Sequence, residues 1–184
     1  MKSQIAIAEI AQPYAQALMS VAQSKNSTEQ LGEDVRILQK LLQSSQLLSG
    51  FMDNPFIDLD KKKAVLTQVL GSGANPYLRN FLMLLVDRRR ISLLEPICQQ
   101  YLVLLRSLNK TVLAQVISAI ELTPEQQQSV RDKVIAMTKA QKVELDTQID
   151  PELIGGVIIK VGSQVIDASL RGQLRRLSLR LTNS

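Results

Sequence analysis

The feature that most restricts the fold of this 184-residue chain is a change in the period of its apolar residues near Asn109. Before that point apolar side chains recur every three or four positions, the spacing of one helix face. After it, short runs of Val, Ile and Thr alternate with polar residues at the strand period of two. The change predicts two units joined near residues 106–110. Residues 1–106 read as a bundle of five or six helices, and 110–184 as a small mixed unit ordered strand, helix, strand, hairpin, helix. The expected class is therefore mostly α, a six-helix N-terminal bundle followed by a small α/β domain.

Within the first unit, Ile7, Ile10, Tyr14, Leu18 and Val21 mark one helical stripe, and Ala11, Ala15, Met19 and Ala22 a second beside it. Pro13 predicts that this helix starts or bends there. Thr28 is placed to cap a second helix carrying Leu31, Val35, Leu38, Leu42 and, if it extends that far, Leu48, with a break at Asp53, Asn54 and Pro55. Asp58 or Asp60 can cap the next helix, with Val65, Leu66, Val69 and Leu70, which Gly71 and Gly73 end. Asn75-Pro76 reads as cap and first helical residue of a segment whose only polar positions from Tyr77 to Val86 are Arg79 and Asn80. After the charged turn Asp87–Arg90, a last long helix runs through Pro96 with Ile91, Leu94, Ile97, Tyr101, Leu105 and Leu108.

In the second unit Thr111–Ala119 is rich in Val, Ile and Thr, as strands are. Thr123-Pro124-Glu125 supplies cap, first-turn proline and acid for a helix to about Ala140, with Val130, Val134 and Met137 on its apolar side. Val143, Leu145, Thr147 and Ile149 alternate with polar residues as a half-buried strand. Gly162-Ser163 between Val157–Val161 and Gln164–Ile166 is a two-residue hairpin signal. A final helix is expected from Ala168 to Leu181, with Leu170, Leu174, Leu177 and Leu181 on one face and Arg171, Arg175, Arg176 and Arg180 towards its negative end.

Composition argues against catalysis. The chain has no histidine and one cysteine, Cys98, set in an apolar helical pattern. That removes the commonest acid–base group and metal ligand, any internal disulfide and any CxxC pair. Neither Gly71-Ser72-Gly73 nor Gly155-Gly156 is followed by the Lys and Ser or Thr of a phosphate-binding loop. The carboxylate pairs Asp58/Asp60 and Glu144/Asp146 fall at cap or solvent positions. Metal, cofactor and catalytic residues are all expected to be none. Basic residues exceed acidic ones by 22 to 17, and the excess is shared between the two units. Lys61–Lys63 and Arg88–Arg90 are short runs that read as solvated charge. With aromatics at 3% and no nucleic-acid motif, no nucleic-acid partner is expected. No apolar run reaches the length of a membrane span or forms a signal peptide, so no direct membrane insertion is expected.

Two stripes on the first helix and a nearly all-apolar fifth helix are more hydrophobic face than a simple bundle needs. They are either core or a groove for a partner's amphipathic helix.

The most distinctive stretch is Ile149-Asp150-Pro151-Glu152-Leu153-Ile154-Gly155-Gly156-Val157-Ile158-Ile159-Lys160-Val161-Gly162, continued by Val165-Ile166-Asp167-Ala168-Ser169-Leu170-Arg171-Gly172-Gln173-Leu174. With Pro13-Tyr14-Ala15-Gln16-Ala17-Leu18 and Leu84-Leu85-Val86-Asp87-Arg88-Arg89-Arg90, it resembles, from end to end, the delta-subunit family of rotary ATP synthases, which includes the mitochondrial oligomycin-sensitivity-conferring protein. The resemblance implies a non-catalytic peripheral-stalk subunit that keeps the catalytic head from turning with the rotor. It implies that the helical unit receives the N-terminal helix of an alpha subunit between its first and fifth helices. The groove then falls on Ile10, Tyr14, Ala15, Leu18, Leu78, Phe81, Leu82 and Leu85, so Leu82→Asp or Ala15→Glu is expected to weaken binding while the fold survives. The C-terminal unit is expected to meet the b-type stalk subunits, with Asp167 and Arg171 either anchoring the last helix or facing the stalk. Gly155 and Gly156 are expected to be structural. The arginine run Arg88–Arg90 departs from the family pattern and makes that rim more basic, suited to an acidic partner. The implied location is the cytoplasmic or stromal face of an energy-transducing membrane, plasma or thylakoid, and the lack of a transit peptide points to a bacterial or organelle-encoded chain. The alternative function is a helical RNA- or protein-binding regulatory adapter.

Overall fold

The computed structural model describes residues 2–71 and 73–174. Its contacts divide the chain between Leu105 and Arg106 into two compact units.

The first unit is helical. α1 (Lys2–Ser24) runs on both sides of Pro13, so the helix does not start at that residue, and the proline lies in its interior. α2 (Thr28–Ser44) begins at Thr28 itself, with Ser27 as the preceding cap residue. The backbone breaks at Ser45, whose side chain accepts from the Leu48 amide and opens α3 (Gln46–Asp53), a separate helix that periodicity had merged with the second. α4 (Leu59–Leu70) follows Asp58 and stops at Gly71, where φ is +66° and a residue without a Cβ is favoured. α5 (Pro76–Asp87) starts as its sequence predicts: the Asn75 side chain accepts from the Tyr77 amide, and Pro76 occupies the first turn. The buried Asn75 also donates its backbone N–H to Asp34 of α2 over 2.8 Å, fixing where α5 begins. A 3₁₀ turn, Ile91–Leu93, leads into α6 (Leu94–Leu108), with Pro96 in its first turn.

These helices enclose one core. Ala11, Ala15 and Ala22 of α1 are fully buried in it, with Leu31, Val35 and Leu38 of α2, Leu66 of α4, Leu78, Leu82 and Leu85 of α5, and Ile97, Tyr101 and Leu105 of α6. Small residues let helix backbones approach closely, and neighbouring leucines fill the remaining space.

The second unit is a four-stranded sheet in the order β2-β1-β3-β4. β1 (Thr111–Ser118) pairs in parallel with β2 (Lys142–Ile149), Ala114 opposite Leu145, so a crossover must join them. That crossover is α7 (Pro124–Thr138), opened by a reciprocal capping box between Thr123 and Gln126. Lys139, at φ +54°, closes it. β3 (Val157–Val161) pairs antiparallel with β1 and then with β4 (Gln164–Asp167) through the Gly162-Ser163 turn. Val130 and Val134 of α7 pack with Ala114, Val116, Ile159 and Val161 as the core, whereas Met137, expected on that side, is exposed. The closing helix is described from 170 to 174. Leu177, Leu181, Arg175, Arg176 and Arg180 lie outside the described residues. The architecture is mostly α, a six-helix bundle followed by a small α/β unit.

Candidate functional surface

The two stripes of α1 part company in the structure. Ala11, Ala15, Met19 and Ala22 face the core, while Ile7, Ile10 and Val21 stay open, Ile10 with 52% of its surface exposed. Tyr14 is half-buried on the open stripe, where Ala17 is also exposed. α5, which packs on α1, turns Leu78, Leu82, Leu85 and Val86 inward. It leaves Tyr77 and Phe81 half-buried and Leu84 exposed.

This corrects the groove as placed from sequence. Of its eight residues, Ile10, Tyr14 and Phe81 keep access to solvent. Ala15, Leu18, Leu78, Leu82 and Leu85 are at most 3% exposed within the chain's own core. A side chain already enclosed by its own fold offers a partner nothing, and a charge in its place is buried without a counterion. Leu82→Asp and Ala15→Glu are therefore folding mutations, contrary to the expectation that the fold survives. The open apolar set is Ile7, Ile10, Tyr14 and Val21 on α1 with Tyr77, Phe81 and Leu84 on α5. Ile7, Val21, Tyr77 and Leu84 were missed. The 3-4-3-4 spacing 7, 10, 14, 17, 21 was the available signal, and Leu18 lies off it.

The rim of this surface is cationic. Arg88, Arg89 and Arg90 are exposed where α5 ends, and the Arg90 guanidinium lies over the Tyr14 ring, 5.6 Å from its centroid. Asp87 beside them is engaged by Lys63. That ion pair, first through its hydrogen bond, holds the Lys63 ammonium above its ordinary pKa.

The lysine run is not uniformly solvated. Lys61 is exposed, Lys63 takes Asp87, and Lys62 is buried with its ammonium donating to the Met52 carbonyl in the last turn of α3. Those last carbonyls have no helical partner, and a cation there meets the negative end of the dipole.

In the second unit Asp167 anchors the chain. Its Oδ1 accepts from both the amide and the hydroxyl of Ser169, and the Ser169 hydroxyl accepts from the Gly172 amide to cap the closing helix. Arg171 reaches Glu152 only at 3.9 Å, both side chains being largely exposed. Gly156, at φ +78°, abuts the backbone of Ala168 and Ser169 so closely that a Cβ would collide with it. Gly155 accepts from the Leu170 amide. The preceding Ile154 holds φ +64° with 72% of its surface exposed, a conformation rare for a β-branched residue. With the exposed Ile120 it borders a hollow of about 340 Å³ that also contains Lys133.

Among the described residues no group of three or more side chains is placed to hold a metal ion, and no helix is long and apolar enough to cross a membrane. Cys98 is buried, and desolvation, with Glu95 nearby, pushes its thiol up to about 12. A thiol so protonated is no nucleophile near neutral pH.

The structure is a helical bundle with apolar side chains left open on two packed helices, followed by a small α/β unit. The comparisons then place it. A family model described as ATP synthase delta (OSCP) subunit matches residues 10–181, and the chain belongs to that family. It is thereby a component of the peripheral stalk of an ATP synthase. ATP synthase subunit delta of Nostoc punctiforme is 66% identical over all of both chains. That of Trichormus variabilis is 64% identical over the same extent, and that of Gloeothece citriformis 61% over 94% of each. A chain in the cryo-EM structure of the Toxoplasma gondii mitochondrial ATP synthase hexamer shares the fold, with a TM-score of 0.70 at 24% identity, covering 94% of this chain and 97% of that one. These matches give the regulatory-adapter alternative no support.

Proposed function

We propose that the chain is a non-catalytic coupling piece, holding the catalytic head to the stalk through two separate surfaces. The helical unit takes the N-terminal helix of an alpha subunit on the strip formed by α1 and α5. The C-terminal unit meets the b-type stalk subunits. The complex places it at the cytoplasmic or stromal face of a plasma or thylakoid membrane, carried there by its partners.

The observation that carries the reading is that two helices packed on each other both keep apolar side chains open, Ile7, Ile10, Tyr14 and Val21 on α1 and Tyr77, Phe81 and Leu84 on α5. At about 25 cal/mol per Å² of apolar surface, covering several such side chains is worth several kcal/mol before ordering costs reduce it. An amphipathic helix with apolar residues every three or four positions is the shape that covers such a strip.

The test is binding of an alpha-subunit N-terminal peptide, followed by fluorescence anisotropy. Ile10→Asp and Leu84→Asp are expected to keep the wild-type melting transition and lose about tenfold or more in affinity. Unchanged affinity in both would refute the strip as the docking site.

A further inference from the structure

The arginines at the end of α5 are more than a helix terminus needs. One exposed cation there suffices to offset the dipole. Here three stand in a row, and none has an ion-pair partner among the described residues. The adjacent carboxylate, Asp87, is occupied by Lys63. Two of the three border the apolar strip. The Arg88 amide still bonds to the Leu84 carbonyl, so Arg88 extends the line Tyr77, Phe81, Leu84 by one more turn. The Arg90 guanidinium lies over the ring of Tyr14 on the α1 stripe.

We infer that Arg88 and Arg90 read acid on the docked helix. This rests on the α1/α5 docking surface proposed above, and it specifies the occupant. The occupant is an amphipathic helix that presents Asp or Glu, three or four residues apart, next to its apolar face where that face crosses the end of α5. Guanidinium forks match carboxylates bidentately, so the contact fixes the register of the helix along a strip that apolar packing alone leaves free to slide. Exposed rim charges also speed association and make it sensitive to salt.

The experiment uses the full chain and the alpha-subunit N-terminal peptide, titrated across about 0.05 to 0.5 M salt. Wild type is expected to weaken several-fold over that range. The double variant Arg88→Glu/Arg90→Glu is expected to bind about tenfold more weakly at low salt and to lose or invert the salt dependence, with an unchanged melting transition. Leu84→Asp serves as the apolar control. If the double variant binds as wild type does while Leu84→Asp fails, the acid-reading role is overturned and the docking surface stands. If wild type does not bind the peptide, or every variant binds equally, the docking surface falls and the inference with it. Salt-sensitive binding of a generic RNA that the double variant abolishes would assign the arginines to phosphate and also overturn it.

Discussion

The Lys62 ammonium is buried against the Met52 carbonyl, tying α4 to the C-terminal turn of α3. Its neighbours Lys61 and Lys63 have no such task. Lys62→Met keeps the aliphatic stem and removes the donor, leaving a helix-end carbonyl enclosed without a partner. Chemical denaturation should show a loss of about 1–3 kcal/mol for this variant. Lys61→Met should lie within about 0.5 kcal/mol of wild type.

Alkaline solution should weaken the helical unit before neutral or mildly acidic solution does. Burial raises Cys98 from 9.0 to about 12, and burial with Glu29 nearby raises Tyr101 from 10.0 to about 12. Both are neutral when protonated, so between those limits the unfolded chain sheds protons that the folded chain keeps. Stability is then fully present below pH 9 and falls as pH climbs towards 12. Denaturation midpoints measured across this window should decline, and Cys98→Ala with Tyr101→Phe should flatten the decline. Tyr101→Phe also forfeits the hydrogen bond its hydroxyl donates to the Thr28 carbonyl, about 1 kcal/mol at every pH.

Ile154 occupies a left-handed conformation with little burial in return. Ile154→Gly should relieve roughly 1–2 kcal/mol of steric cost, partly offset by glycine's greater freedom when unfolded. A net rise in thermal midpoint is expected, read by calorimetry. A clear fall would mean that the isoleucine side chain stabilises the unit more than its exposure suggests.

Asp167 and Arg171 should separate cleanly. Asp167→Ala removes the acceptor of two hydrogen bonds that set the start of the closing helix, and about 1–2 kcal/mol of stability should go with it. Arg171→Ala breaks a long, exposed ion pair and should change stability by well under about 1 kcal/mol. Paired melts of the two variants check this.

Elements marked by local chemistry were legible in the sequence. Asn75-Pro76 and Thr123-Pro124 start helices because cap and proline each satisfy a fixed geometric need, and Gly162-Ser163 turns a hairpin because Gly162 sits at φ +57°. What periodicity could not resolve was which of two adjacent stripes faces inward. Both stripes of α1 are apolar, so hydropathy left each of them as core or groove, and the expected groove drew Ile10, Tyr14 and Leu18 from one and Ala15 from the other. The core took Ala11, Ala15 and Ala22 because close packing against neighbouring helices depends on side-chain volume, which a hydropathy pattern does not record. Lys62 was hidden for a related reason. Within three consecutive lysines, nothing local distinguishes the one that reaches a carbonyl ten residues back.

β1, first strand in the sequence, lies second in the sheet, with β2 on one edge and β3 on the other. Its second edge stays bare until Val157 and the residues beyond it have been synthesised. A chain terminated prematurely after Ile149 would carry a complete helical half and an unfinished sheet presenting the unpaired backbone of residues 115–118 to any passing strand. Such a product should collect in aggregates instead of competing for a place in the assembly, which sedimentation of a chain ending at Ile149 would show.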